Sequence, residues 1–390
     1  MKRFPLPLLA ASARQRSAGG HQHRPKKSPL SHGVGYIASP ALDFWLTGGV
    51  SVIVMAMLLL LYWWDGNQST SVTAAISQAI VLQALVNWPH FMGAYGLLYR
   101  PLSNIKKYPF ATLYIPAILL ICLVVALVTA PHQVSIWAVN QDIAYAIWLV
   151  AAFYLAWHYT GQAWGMMATF SRLSGLALDQ RQRWLLRAGL RLLLIWHVVW
   201  GAQDLPEKWL GGWSRYIPEL LAVMTWLCVI AFFVGLGIWS RIRMQSGRWP
   251  DRRVLVSWLA VYMWYWVLLF MPAAYIWVQL SHALQYLAFP MRMQVNQAAA
   301  SISATMSKNK RLLVWMPAGL RYYLWLVALG MLIFYVPTIL FPATQTYGLS
   351  VVLASMVSIH HYFVDGCIWK ISHPEVRRAL FWHLPAQKAA

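Results

Sequence analysis

The strongest constraint on the fold is a series of apolar stretches, most of them about twenty residues long, that recur between residues 42 and 370. About twenty apolar residues span the hydrocarbon core of a bilayer as one helix. Only 11% of the 390 residues are charged and 60% are hydrophobic, whereas soluble domains carry roughly 25% charged residues. The sequence therefore predicts an all-α, polytopic transmembrane helical bundle.

The apolar stretches divide into about ten predicted spans. A single turn signal, Met271–Pro272, separates the seventh from the eighth. The spans cover residues 42–64, 72–99, 109–130, 142–171, 186–203, 217–240, 254–271, 273–291, 322–341 and 347–370.

Basic residues concentrate in alternate connections between these spans. The basic connections hold Arg100, Lys106, Lys107, Arg172, Arg181, Arg183, Arg241, Arg243, Arg248, Arg252, Arg253, Arg292, Lys308, Lys310, Arg311 and Arg321. The other connections carry Asp65, Asp142, Asp204 and Glu207, with only Lys208 and Arg215 as bases. Because cytoplasmic loops are rich in Lys and Arg, we expect both termini in the cytoplasm and a location in a bacterial inner membrane.

The same charge pattern suggests three regions. Residues 1–40 are predicted to form a basic, disordered tail that contacts anionic membrane lipids. Residues 41–371 form the ten-span domain, and residues 372–390 form a short basic cytoplasmic tail. The net charge of +21 is explained by the tails and the cytoplasmic loops, so nucleic acid is not an expected partner.

Histidines recur at one depth in the predicted bundle. Each even-numbered span that carries histidine ends on a base nine to fourteen residues later. At 1.5 Å per residue, this places the imidazoles roughly 15–20 Å from the cytoplasmic boundary. We interpret these five residues as metal ligands: His90, His158, His282, His360 and His361. His197 lies on an odd-numbered span and is a weaker candidate.

Each of these spans also carries a polar companion on the histidine face. Asn87, Gln162 and Gln285 lie three or four residues from a histidine, which places them on the same side of the helix. We expect their amides to orient the imidazoles through hydrogen bonds. Asp365 follows His361 by four residues, and we expect it to be the catalytic residue, either as a ligand or by orienting one.

We expect two local features to shape this region. Pro89 should kink the second span and free the carbonyl group of Leu85. Gly161 and Gly165 should allow close approach of a neighbouring helix.

Neutral imidazoles with few carboxylates suit iron, zinc or copper better than magnesium or calcium. A site at this depth would meet small molecules that are dissolved in the bilayer. The sequence therefore predicts an intramembrane metalloenzyme whose histidine-rich site, with non-haem iron as the favoured cofactor and zinc as an alternative, oxidises a lipid, isoprenoid, carotenoid or quinone.

In this respect the chain resembles membrane desaturases and hydroxylases, and the Brp/Blh carotene oxygenases, whose apolar helices carry iron-binding histidines. The resemblance implies iron and oxygen chemistry. It gives no correspondence between individual residues. Desaturases have HxxxH and HxxHH boxes, whereas this chain has His360–His361 and single histidines within NWPHF, WHYTGQ and SHALQY.

Other functions fit parts of the pattern. Two histidines on facing helices could bind haem b in a membrane subunit. A buried aspartate with histidines could relay protons in a proton-coupled transporter. His282, within SHALQY, could be the general base of a membrane acyltransferase. A subunit with a purely structural role would make the histidine layer incidental.

Overall fold

The computed structural model describes residues 35–66, 70–131, 135, 137–300, 308–341, 346–369 and 373–384. The described residues form helices and turns without a strand, which confirms the prediction of an all-α chain. Most of the predicted N-terminal tail, residues 1–34, lies outside the described residues.

Ten long helices follow one another along this part of the chain. They are α1 (Pro40–Asp65), α2 (Thr70–Tyr99), α3 (Phe110–Val128), α4 (Gln141–Leu173), α5 (Gln180–Ala202), α6 (Ile217–Ser246), α7 (Arg252–Phe270), α8 (Tyr275–Ala300), α9 (Lys308–Gly330, continued by Met331–Tyr335 and Val336–Leu340) and α10 (Leu349–Ile368). A shorter helix, α11 (Pro374–Phe381), follows α10. Short helices at Ser103–Lys107 and Glu207–Leu210 lie in connections.

Within the described ranges, nine helices are long and apolar enough to cross a membrane, namely all of the long helices except α8. This composition is consistent with an integral membrane protein. Many large apolar side chains on α6, and on α9 from Leu320 onwards, are exposed, as expected for helices that contact lipid.

Capping side chains, a glycine and a proline-containing turn define several helix ends. The side chain of Asn140 accepts hydrogen bonds from two backbone amides at the start of α4. Asp179 and Gln182 form a reciprocal capping box at the start of α5. Gly247, with φ of 72°, ends α6 in the left-handed conformation that glycine adopts without strain. The expected break at Met271–Pro272 lies between α7 and α8.

Helix α2 is interrupted by a turn at residues 83–86, shortly before Pro89. The carbonyl oxygen of Leu85, which Pro89 cannot bond because it lacks an N–H, accepts a hydrogen bond from the hydroxyl of Tyr323 on α9. The second half of α2 restarts at Asn87 and carries His90 in its first turn.

The helices that carry the even-span histidines are neighbours. The second half of α2 packs against α8, α9 and α10, and α10 also packs against α4. Helix α4 packs in addition against α5 and α7. Four side chains from separate parts of the sequence can therefore meet in the space between α2, α4, α8 and α10.

A buried ion cluster ties the segment before α1 to the start of α7. Arg253 is only 1% exposed, and its guanidinium contacts the carboxylates of Asp43 at 3.3 Å and Asp251 at 2.7 Å. It also donates to the carbonyl oxygen of Gly35 at 2.9 Å. Partial burial alone would raise the pKa of Asp251, but the hydrogen bonds and charge of Arg253 outweigh this effect and lower it.

Helix α11 packs against the C-terminal part of α8. The side-chain amide of Asn296 donates to the carbonyl oxygens of Ala379 and Leu380, both at 2.9 Å. An exposed ion pair of 2.7 Å between Lys107 and Glu375 joins the connection after α2 to the same helix. This hydrogen bond lowers the pKa of Glu375 and raises that of Lys107.

Candidate metal centre

Three helices bring three histidines and one carboxylate to a common point. His90 comes from α2, His158 from α4, and His361 and Asp365 from α10. Each offers one ligand atom, and the four atoms lie within 4.8 Å of one another. Ligand atoms on opposite sides of one ion are about 4.4 Å apart when each bond is about 2.2 Å. Small side-chain rotations would therefore place all four on a single ion.

Asp365 faces two of the three imidazoles in this group. Its Oδ2 atom lies 3.6 Å from Nε2 of His361 and 3.8 Å from Nε2 of His158. These distances are too long for hydrogen bonds, but ligands bound at about 2.0–2.2 Å from one ion are typically roughly 3–4 Å apart. Tyr286 and Trp369 line the same cavity as Asp365, and the Tyr286 hydroxyl, the Trp369 indole N–H and Oδ1 of Asp365 are all buried without a hydrogen-bond partner among the described residues.

A fourth imidazole, His282 on α8, lies against the group. Its ring centroid is 4.6 Å from that of His158 and 5.1 Å from that of His90. The aromatic rings of Tyr159 and Tyr286 close the site, at 4.4 Å from His282 and 4.2 Å from His90. His282 therefore lies close enough to become a further ligand after a small movement, or to hold the others in place.

The ring nitrogens of this cluster lack hydrogen-bond partners. Among the described residues, both nitrogens of His90, His282 and His361, and Nε2 of His158, are buried without one. An unsatisfied buried polar group costs about 1–3 kcal/mol. Seven unsatisfied ring nitrogens in one place therefore point to a partner that is missing from the protein itself. A bound cation would accept one lone pair from each neutral imidazole, which is a common metal ligand, while the other nitrogen of each ring carries the proton.

His360, which we also interpreted as a ligand, lies outside the cluster. Its Nε2 atom is 2.8 Å from the carbonyl oxygen of Ala111 and 3.3 Å from the hydroxyl of Tyr99. Consecutive helical residues point about 100° apart, and on α10 this turns His360 towards Ala111 while His361 belongs to the cluster. His197 is also remote from the cluster, with its ring beside those of Trp200 and Tyr265.

Two of the three expected amide companions, Gln162 and Gln285, bond to groups other than the imidazole rings. The Gln162 amide donates to the backbone oxygen of His282 at 2.9 Å and to Oε1 of Gln285 at 3.3 Å. Gln285 in turn donates to the carbonyl oxygen of Thr47 at 2.6 Å. Asn87 is buried at the start of the second half of α2. The two glutamines therefore fix the positions of α4, α8 and α1 relative to one another.

A cavity of about 250 Å³ adjoins the His158 and Asp365 side of the cluster. It lies between α4, α8 and α10, and Gly161 and Gly165 line it. A Cβ atom added at either glycine would meet nothing within 4 Å. The expectation that these glycines allow close helix packing is therefore wrong, because their missing side chains instead widen the cavity.

The sequence interpretation missed several residues that line this cavity. Thr169 continues the polar face of α4 that runs through His158 and Gln162, and Trp369 follows Asp365 by four residues. Both could have been found by extending the helical stripe one or two turns towards the C-terminal end of each helix. Phe289 on α8 faces the cavity without a comparable signal in the sequence.

The site thus combines several imidazoles, one carboxylate, no basic side chain among its ligand atoms and an adjoining apolar cavity. Such a donor set could hold a metal ion, and the cavity leaves space beside it for a second molecule. Comparison of the chain with protein-family models, with curated proteins and with solved structures finds no match.

Proposed function

We propose that this protein is an intramembrane metalloenzyme that oxidises a lipid-soluble substrate with molecular oxygen at a non-haem iron centre. The ligands in this proposal are His90, His158, His361 and Asp365. The observation that carries it is the convergence of these four ligand atoms within 4.8 Å, in a part of the bundle where Nε2 of all three histidines has no hydrogen-bond partner among the described residues.

The donor set supports iron over other ions. Sites with imidazoles, one carboxylate and an open position are typical of non-haem iron enzymes that activate oxygen. Zinc uses similar ligands and is the alternative ion. The imidazole rings contact one another directly, with centroids 4.5 to 5.1 Å apart for His90–His361, His158–His361 and His90–His282. This packing favours a single ion over a porphyrin between two rings.

The adjoining cavity supports catalysis over a purely structural role. A structural metal site is closed by protein ligands, whereas a catalytic one keeps a position open to a second molecule. The cavity reaches His158 and Asp365, so a substrate could approach the ion from this side. The iron, when bound, would supply the redox chemistry, and Asp365 would hold or accept a proton beside the substrate.

The proposal includes the membrane arrangement. We propose that α8 is a tenth span, its hydropathy lowered by Gln279, His282 and Gln285. With the basic connections in the cytoplasm, both termini lie there as well. The location would be the bacterial inner membrane, and the partners would be membrane lipids and a lipid-soluble substrate rather than nucleic acid.

The first experiment is an absorption spectrum and an elemental analysis of the protein purified in detergent, followed by oxygen uptake in liposomes made with lipid extract from the native membrane. We expect iron without a Soret band, and uptake that is lost in His282→Ala and His361→Ala. A Soret band would indicate haem. Zinc in place of iron would support the metal centre but would exclude the proposed oxidation of a substrate. Absence of any metal, with both variants still active, would overturn the proposal.

A further inference from the structure

The cavity beside the metal centre opens sideways, towards the surface of the bundle. Its lining includes Trp157, which is 62% exposed, and the exposed glycines Gly161 and Gly366. Trp157 and Gly161 lie on α4 and Gly366 lies on α10, so the mouth is a cleft between these two helices. At this position along α4, eleven residues before Arg172, the surface of the bundle would face the hydrocarbon core.

Both sides of the mouth lack side chains. A Cβ atom added at Gly161 or Gly366 would meet nothing within 4 Å. The glycines are therefore not needed for helix packing or for a left-handed backbone conformation. Their common effect is to keep the cleft open.

The cavity extends along α4. His158 and Thr169 both line it, and eleven helical residues correspond to about 16 Å. Pockets that enclose a whole drug-sized ligand measure roughly 300–1,000 Å³, and this cavity, at about 250 Å³, is smaller. It can hold one extended part of a longer molecule whose remainder stays in the bilayer.

The residues that line the cavity indicate which kind of molecule could fill it. Met166, Phe289 and Trp369 present apolar surface along the cavity. Gln162 also lines it, and its Oε1 atom is buried without a hydrogen-bond partner among the described residues, while its amide nitrogen is held by α8. An apolar chain that carries a hydroxyl group would fill the cavity and donate to this oxygen.

We infer that the cleft between α4 and α10 is a lateral binding site for a single long hydrocarbon chain with a hydroxyl group, which reaches the His158 and Asp365 side of the metal centre directly from the bilayer. The inference deepens the proposed function and rests on it for the reaction. Binding of the chain does not depend on which metal is bound.

The test uses a photoactivatable octadecanol that carries a diazirine in its chain, added to the full-length protein in phosphatidylethanolamine–phosphatidylglycerol vesicles. Labelled peptides are mapped by mass spectrometry. The variants are Gly161→Leu and Gly366→Leu, whose side chains would occupy the mouth. Gly237→Leu is the matched control, since Gly237 is an exposed helical glycine on α6 where an added Cβ also meets nothing within 4 Å.

We expect the wild type and Gly237→Leu to be labelled at Met166, Phe289 or Trp369, and the two mouth variants to lose about tenfold or more of this labelling because the chain would be overpacked. Labelling of α9, which carries the exposed side chains Leu324 and Trp325 and is changed in none of the variants, serves as the internal standard and should not change. Cavity labelling that is equal in all four proteins, or absent from the wild type, would overturn the inference.

Metal content is measured on the same samples so that the two proposals can fail separately. Retained metal with no cavity labelling would contradict the lateral site alone. Labelling that is blocked by the mouth variants in a protein without metal would support the lateral site and contradict the proposed metal chemistry.

Discussion

Oδ2 of Asp365 lies 3.6 Å from Nε2 of His361, one turn earlier on the same helix. The same oxygen is 3.8 Å from Nε2 of His158 on α4. One carboxylate thus faces imidazoles from two helices, in a position where a shared cation would join all three groups. This arrangement makes Asp365 the residue whose charge most directly affects the proposed centre.

Replacement of Asp365 by Asn should weaken metal binding. The substitution keeps the shape of the side chain and removes the negative charge, and loss of a ligand or of its orienting partner typically costs about 10–100-fold in affinity. Competition with a chelator measures this change. Asp142→Asn is the control, because Asp142 is an exposed carboxylate at the other end of α4. Equal affinities in wild type and Asp365→Asn would remove Asp365 from the centre.

Replacement of Arg253 by Ala should destabilise the fold without acting on the metal centre. The change leaves the carboxylate of Asp43, which is 1% exposed, without its charged partner. Breaking a buried ion pair in this way costs about 3–5 kcal/mol. Thermal unfolding in detergent should show a clear loss for Arg253→Ala and little change for the exposed neighbour Arg252→Ala. Similar effects of both variants would argue against the buried cluster.

The contribution of Asp251 should depend on pH. The ion pair with Arg253 lowers the pKa of Asp251 although partial burial acts in the opposite direction. A lowered pKa stabilises the fold above the unfolded value, about 3.9, and this stabilisation is lost as the pH falls through the folded pKa.

The thermal stability of the wild type should therefore exceed that of Asp251→Asn by a constant amount above about pH 5, with the difference shrinking below about pH 4. Asn also caps helices well, so the comparison isolates the charge. A difference that grows as the pH falls would contradict this assignment.

The glutamines near the histidines should affect stability more than metal binding. Gln285 is fully buried and donates to the carbonyl oxygen of Thr47. Gln285→Leu leaves that carbonyl and Gln162 with one partner fewer, at a cost of about 1–3 kcal/mol. Unfolding in detergent measures the loss, with the exposed Gln297→Leu on the same helix as control. A folded Gln285→Leu protein that has lost its metal would instead show that Gln285 orients a ligand.

The helical bundle and the depth of the histidines can be predicted from rules that use only the position of each residue along the sequence. Helix length in a bilayer and the rise per residue suffice to place His90, His158, His282 and His361 in one layer. The turn in α2 follows from Pro89 because proline removes a backbone donor. Spacing alone also pairs His361 with Asp365, since both lie on one face of α10.

Contacts between helices could not be predicted from helix length, rise per residue and residue spacing. His360 has the same depth as His361, and only the rotation of α10 turns it towards Ala111 instead of the centre. Gly161 has the sequence context of a packing glycine, but its role depends on whether a neighbouring helix is present, and in the structure none is within 4 Å of its added Cβ. The partners of Gln162 and Gln285 likewise depend on how four helices meet.

The most direct test of the metal centre is the metal content per chain in a set of single histidine variants purified in parallel. The wild type should hold about one ion, and so should His360→Ala, whose imidazole lies at the same depth but outside the cluster. His90→Ala, His158→Ala and His361→Ala should each lose most of it while eluting as folded protein in size-exclusion chromatography. Full metal content in these three variants, or an equal loss in His360→Ala, would contradict the account.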